Sequence, residues 1–146
     1  MTPLGHGMTG KILAAIGAGI GIALFFRFPD LDISLLGIGA HRNFLFHSFA
    51  LVAALFLAVR KLDARRGVNV LVMSVVAGCG IGIGLHLFAD TFQSHPVKFP
   101  FVGSLVDGTS VDDRLWLGLN SIGSILLSVG IFRRLKLALI GKRGGA

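Results

Sequence analysis

The sequence predicts an all-α integral membrane protein, a single domain of four transmembrane helices with both termini in the cytoplasm. Of its 146 residues, 53% are hydrophobic and only 14% are charged, whereas soluble domains are about a quarter charged. The mean hydropathy of +0.81 agrees with a membrane composition. A bilayer span needs about 20 mostly apolar residues, and four segments approach that length: residues 8–28, 43–59, 68–92 and 115–132. We expect helical spans, because lipid leaves no backbone polar group unpaired.

The basic residues are divided unequally between the two sides that four spans define. Ten lie at helix ends on one side, and the other four are Arg27, Arg42, Lys98 and Arg114. Cytoplasmic loops carry an excess of Lys and Arg, so we expect the termini and residues 60–67 on the cytoplasmic side of a bacterial inner membrane. This distribution accounts for the net charge of +7 without nucleic-acid binding, for which aromatic residues would be interleaved with the basic ones.

A similar glycine-rich run occurs in the first and third segments, at residues 17–22 and 78–83. A phosphate-binding loop would need a strand before it and a helix after it, and the sequence offers no such unit. Small residues four apart instead let membrane helices approach closely. We interpret the runs as packing faces, within the chain or between copies in an oligomer, formed by Gly17 with Gly21, Gly78 with Gly82 and Gly80 with Gly84.

Ionisable and aromatic side chains are concentrated on the predicted outer side. Six of the seven aspartates lie there or at its rim, as do ten of the twelve phenylalanines. His86 and Asp90 are four residues apart on the third helix, a spacing that brings Cβ atoms to about 5–6 Å. At 1.5 Å per residue, His86 lies about 9 Å below the outer end of its helix and His47 about 6 Å below that of the second. We therefore expect the two histidines at a similar depth.

Further potential ligands flank the outer mouth of the bundle. Asp30 and Asp32 follow the first helix, and His41 leads into the second. Taken singly, these residues have ordinary interpretations, since an aspartate can cap a helix and a histidine can bond to a neighbouring helix. Imidazole and carboxylate together suit zinc, or else manganese or iron. We expect a site for one or two metal ions formed by Asp30, Asp32, His41, His47, His86 and Asp90.

This pattern resembles the YdjM-like membrane-bound metal-dependent hydrolases. The sequence has Pro-Asp-Leu-Asp at residues 29–32, His-Arg at 41–42, His-Ser at 47–48 and the pair His86 and Asp90. His41 and His47 are one residue further apart than the corresponding histidines of the family pattern. Asn43 and Phe46 stand in place of a glycine and a threonine. The family is distantly similar to zinc-dependent phospholipase C and the fungal zinc nucleases. The resemblance thus implies hydrolysis of a phosphoric ester.

On this hypothesis, a metal ion activates water for attack on a phosphoryl group, Arg42 binds a phosphate oxygen, and Asp32 or Asp90 acts as general base. The phenylalanine-rich mouth favours membrane lipid, or a lipid-linked substrate, as the partner. Two other functions remain open at this stage. One is a non-catalytic membrane subunit with a structural metal, and the other is an electron carrier with haem ligated by two histidines, which helices of a four-helix bundle can provide.

The charge distribution predicts which loops a membrane-impermeant reagent reaches. We expect a thiol reagent applied from the periplasm to label an Asp107→Cys variant and to spare Arg66→Cys, because the ten basic residues place Arg66 in the cytoplasm. The measurement is cysteine labelling in intact and in permeabilised cells. Labelling of Arg66→Cys alone in intact cells would reverse the orientation and the side on which the metal site lies.

Overall fold

The computed structural model describes residues 3–37, 46–66, 70–92 and 113–141. Across these ranges the regular structure is entirely helical: α1 (Pro3–Phe25), α2 (Leu31–Leu36), α3 (Ala50–Arg66), α4 (Val70–Asp90) and α5 (Asp113–Gly141). Helices α1, α4 and α5 contain segments long and apolar enough to cross a membrane. The all-α class is thus confirmed for the described residues, and three helices of sufficient length and apolarity are consistent with a membrane protein. Helix α3 has 17 residues, and a fourth span stays a prediction.

Helix α4 lies at the centre of the bundle. Within its apolar segment 61% of the residues are buried, against 17% for α1 and 33% for α5. It runs parallel to α1, because Gly17 and Ile22 of α1 face Leu71 and Gly82 of α4 in the same order along the two helices. The predicted site at the end of α4 therefore lies beside the end of α1.

Helix α5 packs on the opposite side of α4 and runs antiparallel to it. Gly84, near the end of α4, meets Ser121, and Gly80 meets Ser124 and Ser128 further along α5. Two serine hydroxyls donate hydrogen bonds of 2.7 Å to α4 carbonyls, Ser121 to Gly84 and Ser124 to Gly80. These bonds join the two helices without leaving a buried hydroxyl unsatisfied.

The glycines predicted to form packing faces do so within the chain. An added Cβ at Gly17 would lie 2.8 Å from the Leu71 carbonyl oxygen, and one at Gly82 would lie 2.9 Å from the Ile22 oxygen. Gly21 and Gly78 are equally close to the backbone of the facing helix. Because only the absence of a side chain permits this approach, the interpretation as helix packing is confirmed, while an oligomer stays a prediction.

Helix α3 joins the bundle through two apolar clusters. Val52 packs with Ile83, Leu87 and Leu117 at the site end, and Val59 packs with a second group of α4 and α5 residues further away: Val76, Ala77, Ile131 and Leu135. The guanidinium of Arg134 lies 5.6 Å from the centre of the Phe56 ring. Helices α3 and α5 therefore run side by side away from the predicted site.

The predicted start of the second span was wrong. The sequence suggested a helix from residue 43, but α3 begins at Ala50, after a turn at residues 46–49; residues 43–45 lie outside the described ranges. The Ser48 hydroxyl accepts a hydrogen bond of 3.2 Å from the Ala50 N–H, a local serine turn that immediately precedes the helix. His47 is consequently not a helical residue.

The glycine contact between α1 and α4 predicts a difference between two neighbouring substitutions. Gly21→Ala should destabilise the protein by about 1–3 kcal/mol, because a Cβ there would overlap the α4 backbone. Gly19→Ala is the matched control, since Gly19 has open space around it and alanine has the higher helix propensity. Thermal unfolding in detergent measures both, and equal unfolding temperatures would contradict the packing described here.

Candidate metal centre

The connection between α1 and α2 positions two carboxylates. Helix α1 ends at Phe25 and a buried Pro29 follows; proline disfavours helical geometry in the residue before it and donates no backbone hydrogen bond. Successive short turns then lead into α2. Asp30 occupies the N-cap position of α2, but its side chain makes no cap hydrogen bond. The alternative that Asp30 serves as a helix cap is therefore wrong.

His47 is held by the turn that precedes α3. The Ser48 hydroxyl accepts a hydrogen bond from the Ala50 N–H, and the Phe49 N–H donates a hydrogen bond of 3.2 Å to Asn120 Oδ1 of α5. The His47 side chain is fully buried. Two hydrogen bonds on its C-terminal side thus hold the backbone of the turn that carries the imidazole.

His86 and Asp90 project from the last turn and a half of α4. His86 Nε2 lies 3.5 Å from Asp90 Oδ2, so the prediction that the pair shares one helix face is confirmed. Both side chains are at least nine-tenths buried. The His86 ring also lies against that of His47, with 5.8 Å between the ring centres.

Side-chain atoms of Asp30, His47, His86 and Asp90 lie close together at the end of α4. Asp90 Oδ2 lies 3.4 Å from His47 Nε2 and 3.5 Å from His86 Nε2, and His86 Nε2 lies 3.5 Å from Asp30 Oδ1. The ligand atoms of Asp30, His47 and His86 are all within 4.8 Å of one another. Ligands at zinc–ligand distances of about 2.0–2.2 Å in a tetrahedron are separated by about 3.3–3.6 Å. The three separations of 3.4–3.5 Å match the distance between neighbouring ligands of such a tetrahedron. They exceed the usual N–H···O hydrogen-bond length of about 2.7–3.2 Å.

The opposite edges of the two imidazole rings are oriented by other groups. His47 Nδ1 lies 3.2 Å from Asp32 Oδ2, and both side chains are fully buried. The backbone carbonyl of Phe26 lies beside the His86 ring. Metal-ligating histidines characteristically donate their second ring N–H to a carboxylate or a backbone carbonyl. The arrangement therefore fits Asp32 as the group that orients His47, with both Nε2 atoms facing the cluster.

The cluster is closed on most sides and open beside Asp30. Asp32 and His47 are fully buried, whereas 47% of the Asp30 side chain is exposed. The Phe26 ring packs edge-on against His86 with 5.9 Å between ring centres, and this phenylalanine is itself substantially exposed. A ligand that reached the cluster beside Asp30 would thus meet both a carboxylate and an apolar surface.

The structure brings together five of the six predicted ligand residues: Asp30, Asp32, His47, His86 and Asp90. His41 and Arg42 lie outside the described residues. Sequence reasoning missed Asn120 and the buried serines of α5. The sequence did contain a signal for them, a series of polar residues inside an apolar span. Burying polar residues in a membrane is costly and therefore indicates a structural or functional role.

Comparisons with protein-family models, curated proteins and solved structures find no significant match to this chain. The resemblance to the YdjM-like hydrolases accordingly stays a prediction.

The geometry predicts different effects for a ligand and for the residue that orients it. His86→Ala should abolish stoichiometric zinc binding, whereas Asp32→Asn should retain it at saturating zinc and weaken affinity about 10–100-fold, the usual effect of losing an orienting partner. Elemental analysis and competition with a chromogenic chelator measure the two quantities. His6→Ala is the control, because residue 6 lies about 30 Å along α1 from Phe26, which packs against His86. Stoichiometric zinc in His86→Ala would contradict the assignment.

Proposed function

We propose that this protein is a zinc-dependent hydrolase of the bacterial inner membrane that cleaves a phosphoric ester at the periplasmic interface. The observation that carries the proposal is the convergence of Asp30, His47 and His86, whose ligand atoms all lie within 4.8 Å of one another, with Asp90 Oδ2 at 3.4 Å and 3.5 Å from the two histidine Nε2 atoms. The proposed topology has four spans, with α3 as the second, and cytoplasmic termini. It rests on the division of the basic residues, because ten of the fourteen fall on the side that the predicted spans place away from the cluster.

Zinc fits this donor set better than other common ions. Two imidazoles and two carboxylates are nitrogen and oxygen ligands of the kind that zinc accepts in fourfold coordination, whereas calcium takes six to eight oxygens. Manganese and iron accept the same donors and are the alternatives. A divalent cation would also reduce the cost of burying several carboxylates together in an apolar bundle.

The exposure of Asp30 favours catalysis over a purely structural role. Structural zinc sites are closed, whereas catalytic sites keep a position open to water or substrate. Here three of the four proposed ligands are nine-tenths or more buried, while Asp30 is half-exposed. A non-catalytic subunit with a structural metal is the second candidate. The burial of His47 and the joining of three chain segments by the cluster favour it.

A haem carrier is disfavoured by the position of Asp90. Its Oδ2 atom lies within 3.5 Å of Nε2 of both His47 and His86. A carboxylate therefore lies between the two nitrogens that would have to ligate the iron of one porphyrin.

A zinc ion bound at this site would supply Lewis acidity and lower the pKa of a bound water toward neutrality. The residues of the chain would supply the rest of the site. With Asp30, His47 and His86 holding the ion, Asp90, whose Oδ2 lies 3.4 Å and 3.5 Å from the two histidine Nε2 atoms, could accept a proton from attacking water. Asp32 would keep His47 in the tautomer whose Nε2 faces the site. Arg42 would hold an anionic oxygen of the substrate.

The surroundings of the open edge support a lipid-linked substrate. Phe26 and Leu31 flank Asp30 in the chain, and both are more than two-fifths exposed. Phe88 and Phe92, at the same end of α4, are also exposed and pack against each other with 5.2 Å between ring centres. Such side chains favour contact with an acyl or polyprenyl chain while the phosphoryl group meets the polar cluster.

The proposed role of Arg42 predicts a loss of turnover without a loss of metal. Arg42→Ala should slow hydrolysis by roughly 10–100-fold, since a charge-assisted hydrogen bond is commonly worth about 1.5–3 kcal/mol, and a guanidinium cannot ligate a cation. Phospholipid, polyprenyl-phosphate and nucleotide esters are assayed with the zinc-loaded protein, and zinc content is measured in parallel. Arg114→Ala, which removes an exposed arginine at the start of α5, serves as the control.

Two outcomes would count against catalysis. If the zinc-loaded wild-type protein hydrolyses none of the esters, the structural-metal candidate replaces the hydrolase. If Arg42→Ala and Arg114→Ala lower turnover equally, the effect is one of general surface charge and Arg42 has no specific role.

A further inference from the structure

Asn120 is a buried polar residue of α5 that contributes no atom to the metal cluster. It is 4% exposed, and both ends of its amide are engaged. Its Nδ2 donates a hydrogen bond of 2.9 Å to the Trp116 carbonyl of its own helix, and its Oδ1 accepts one of 3.2 Å from the Phe49 N–H. The bond within α5 fixes the orientation of the amide, so that Oδ1 is directed at the chain that carries His47.

We infer that Asn120 is a positioning residue for the metal centre, acting through the backbone of residues 47–49 on His47. The inference rests on the proposed metal site. Phe49 is two residues from His47, and the hydrogen bond that holds it spans 71 positions of sequence. Asn120 therefore ties the turn at residues 46–49 to the packed surface formed by α4 and α5.

The location of His47 explains why such a tie is needed. His86 and Asp90 are held by the hydrogen bonds of α4, but His47 lies before α3 in a turn and has no helical ladder to hold its backbone. A displacement of about 1 Å at His47 is half of a zinc–ligand bond of about 2.0–2.1 Å. Loss of the bond to Phe49 should thus weaken metal binding in addition to any loss of stability.

The serines of α5 provide a matched comparison. Ser124 is fully buried on the same helix and donates a hydrogen bond of 2.7 Å to the Gly80 carbonyl, but it contacts α4 one turn further from the site. Ser124→Ala and Asn120→Ala each remove one buried hydrogen bond that joins α5 to another segment. Only the Asn120 bond leads to the turn that carries a proposed ligand.

The experiment measures zinc affinity and thermal unfolding of the full-length protein in detergent. Asn120→Ala should raise the zinc Kd at least tenfold, within the range known for groups that support metal ligands, while Ser124→Ala should leave it within about twofold. We expect both apo variants to unfold at similarly lowered temperatures. Asn120→Asp, which keeps an oxygen acceptor for the Phe49 N–H, should restore the Kd to within about threefold of wild type.

An unchanged zinc Kd in Asn120→Ala, or equal increases in Asn120→Ala and Ser124→Ala, would overturn the inference while leaving the metal site intact. A wild-type protein that binds no zinc would instead overturn the proposed function. If Asn120→Ala is not recovered folded, Asn120→Ser provides the same test, because a serine hydroxyl is too short to reach Phe49 and can bond to its own helix as Ser128 does.

Discussion

The close approach of α1 and α4 determines where the rest of the chain lies. Because Gly21 and Gly78 bring the two backbones into contact, the helices run parallel, and the end of α1 lies beside Gly82, two turns before the end of α4. The residues that follow α1 therefore place Asp30 beside His86 of α4. Glycine at the opposite edge of α4, at Gly80 and Gly84, admits α5 in the same way. The three candidate spans are therefore organised by backbone contact, as expected where lipid provides no hydrophobic drive between helices.

The sequence predicted those parts of the site that depend on local periodicity. His86 and Asp90 share a face because they are four residues apart on a helix, and this relation holds in the structure. His47 reaches the cluster by a different route from the one predicted. The residues next to His47 in sequence are apolar enough to suggest a helix. However, hydrogen bonds to Ser48 and to Asn120, which is distant in sequence, hold the chain where α3 begins. The short helix α2 was not predicted either, because six residues are too few to show the hydrophobic periodicity of a helix.

Polar residues in the bundle serve two different purposes. The α5 serines donate to backbone carbonyls, Ser121 and Ser124 across the helix interface and Ser128 within α5, and in this way satisfy themselves in an apolar setting. The residues at the end of α4 instead direct imidazole and carboxylate atoms at one another over distances longer than hydrogen bonds. Asn120 belongs to neither group, since it connects the interface to the turn that precedes α3.

A metal at this position would link helix packing to ligand binding. Its ligands come from the end of α1, the turn before α3 and the end of α4, so a bound ion would stabilise the folded bundle by about 4 kcal/mol at a free concentration 1,000 times Kd. This stabilisation is the same whether the metal is structural or catalytic, and thermal stability alone therefore cannot separate the two functions. What separates them is the open edge at Asp30. A structural site gains nothing from a half-exposed ligand, whereas a hydrolytic site needs one face where water and substrate can enter.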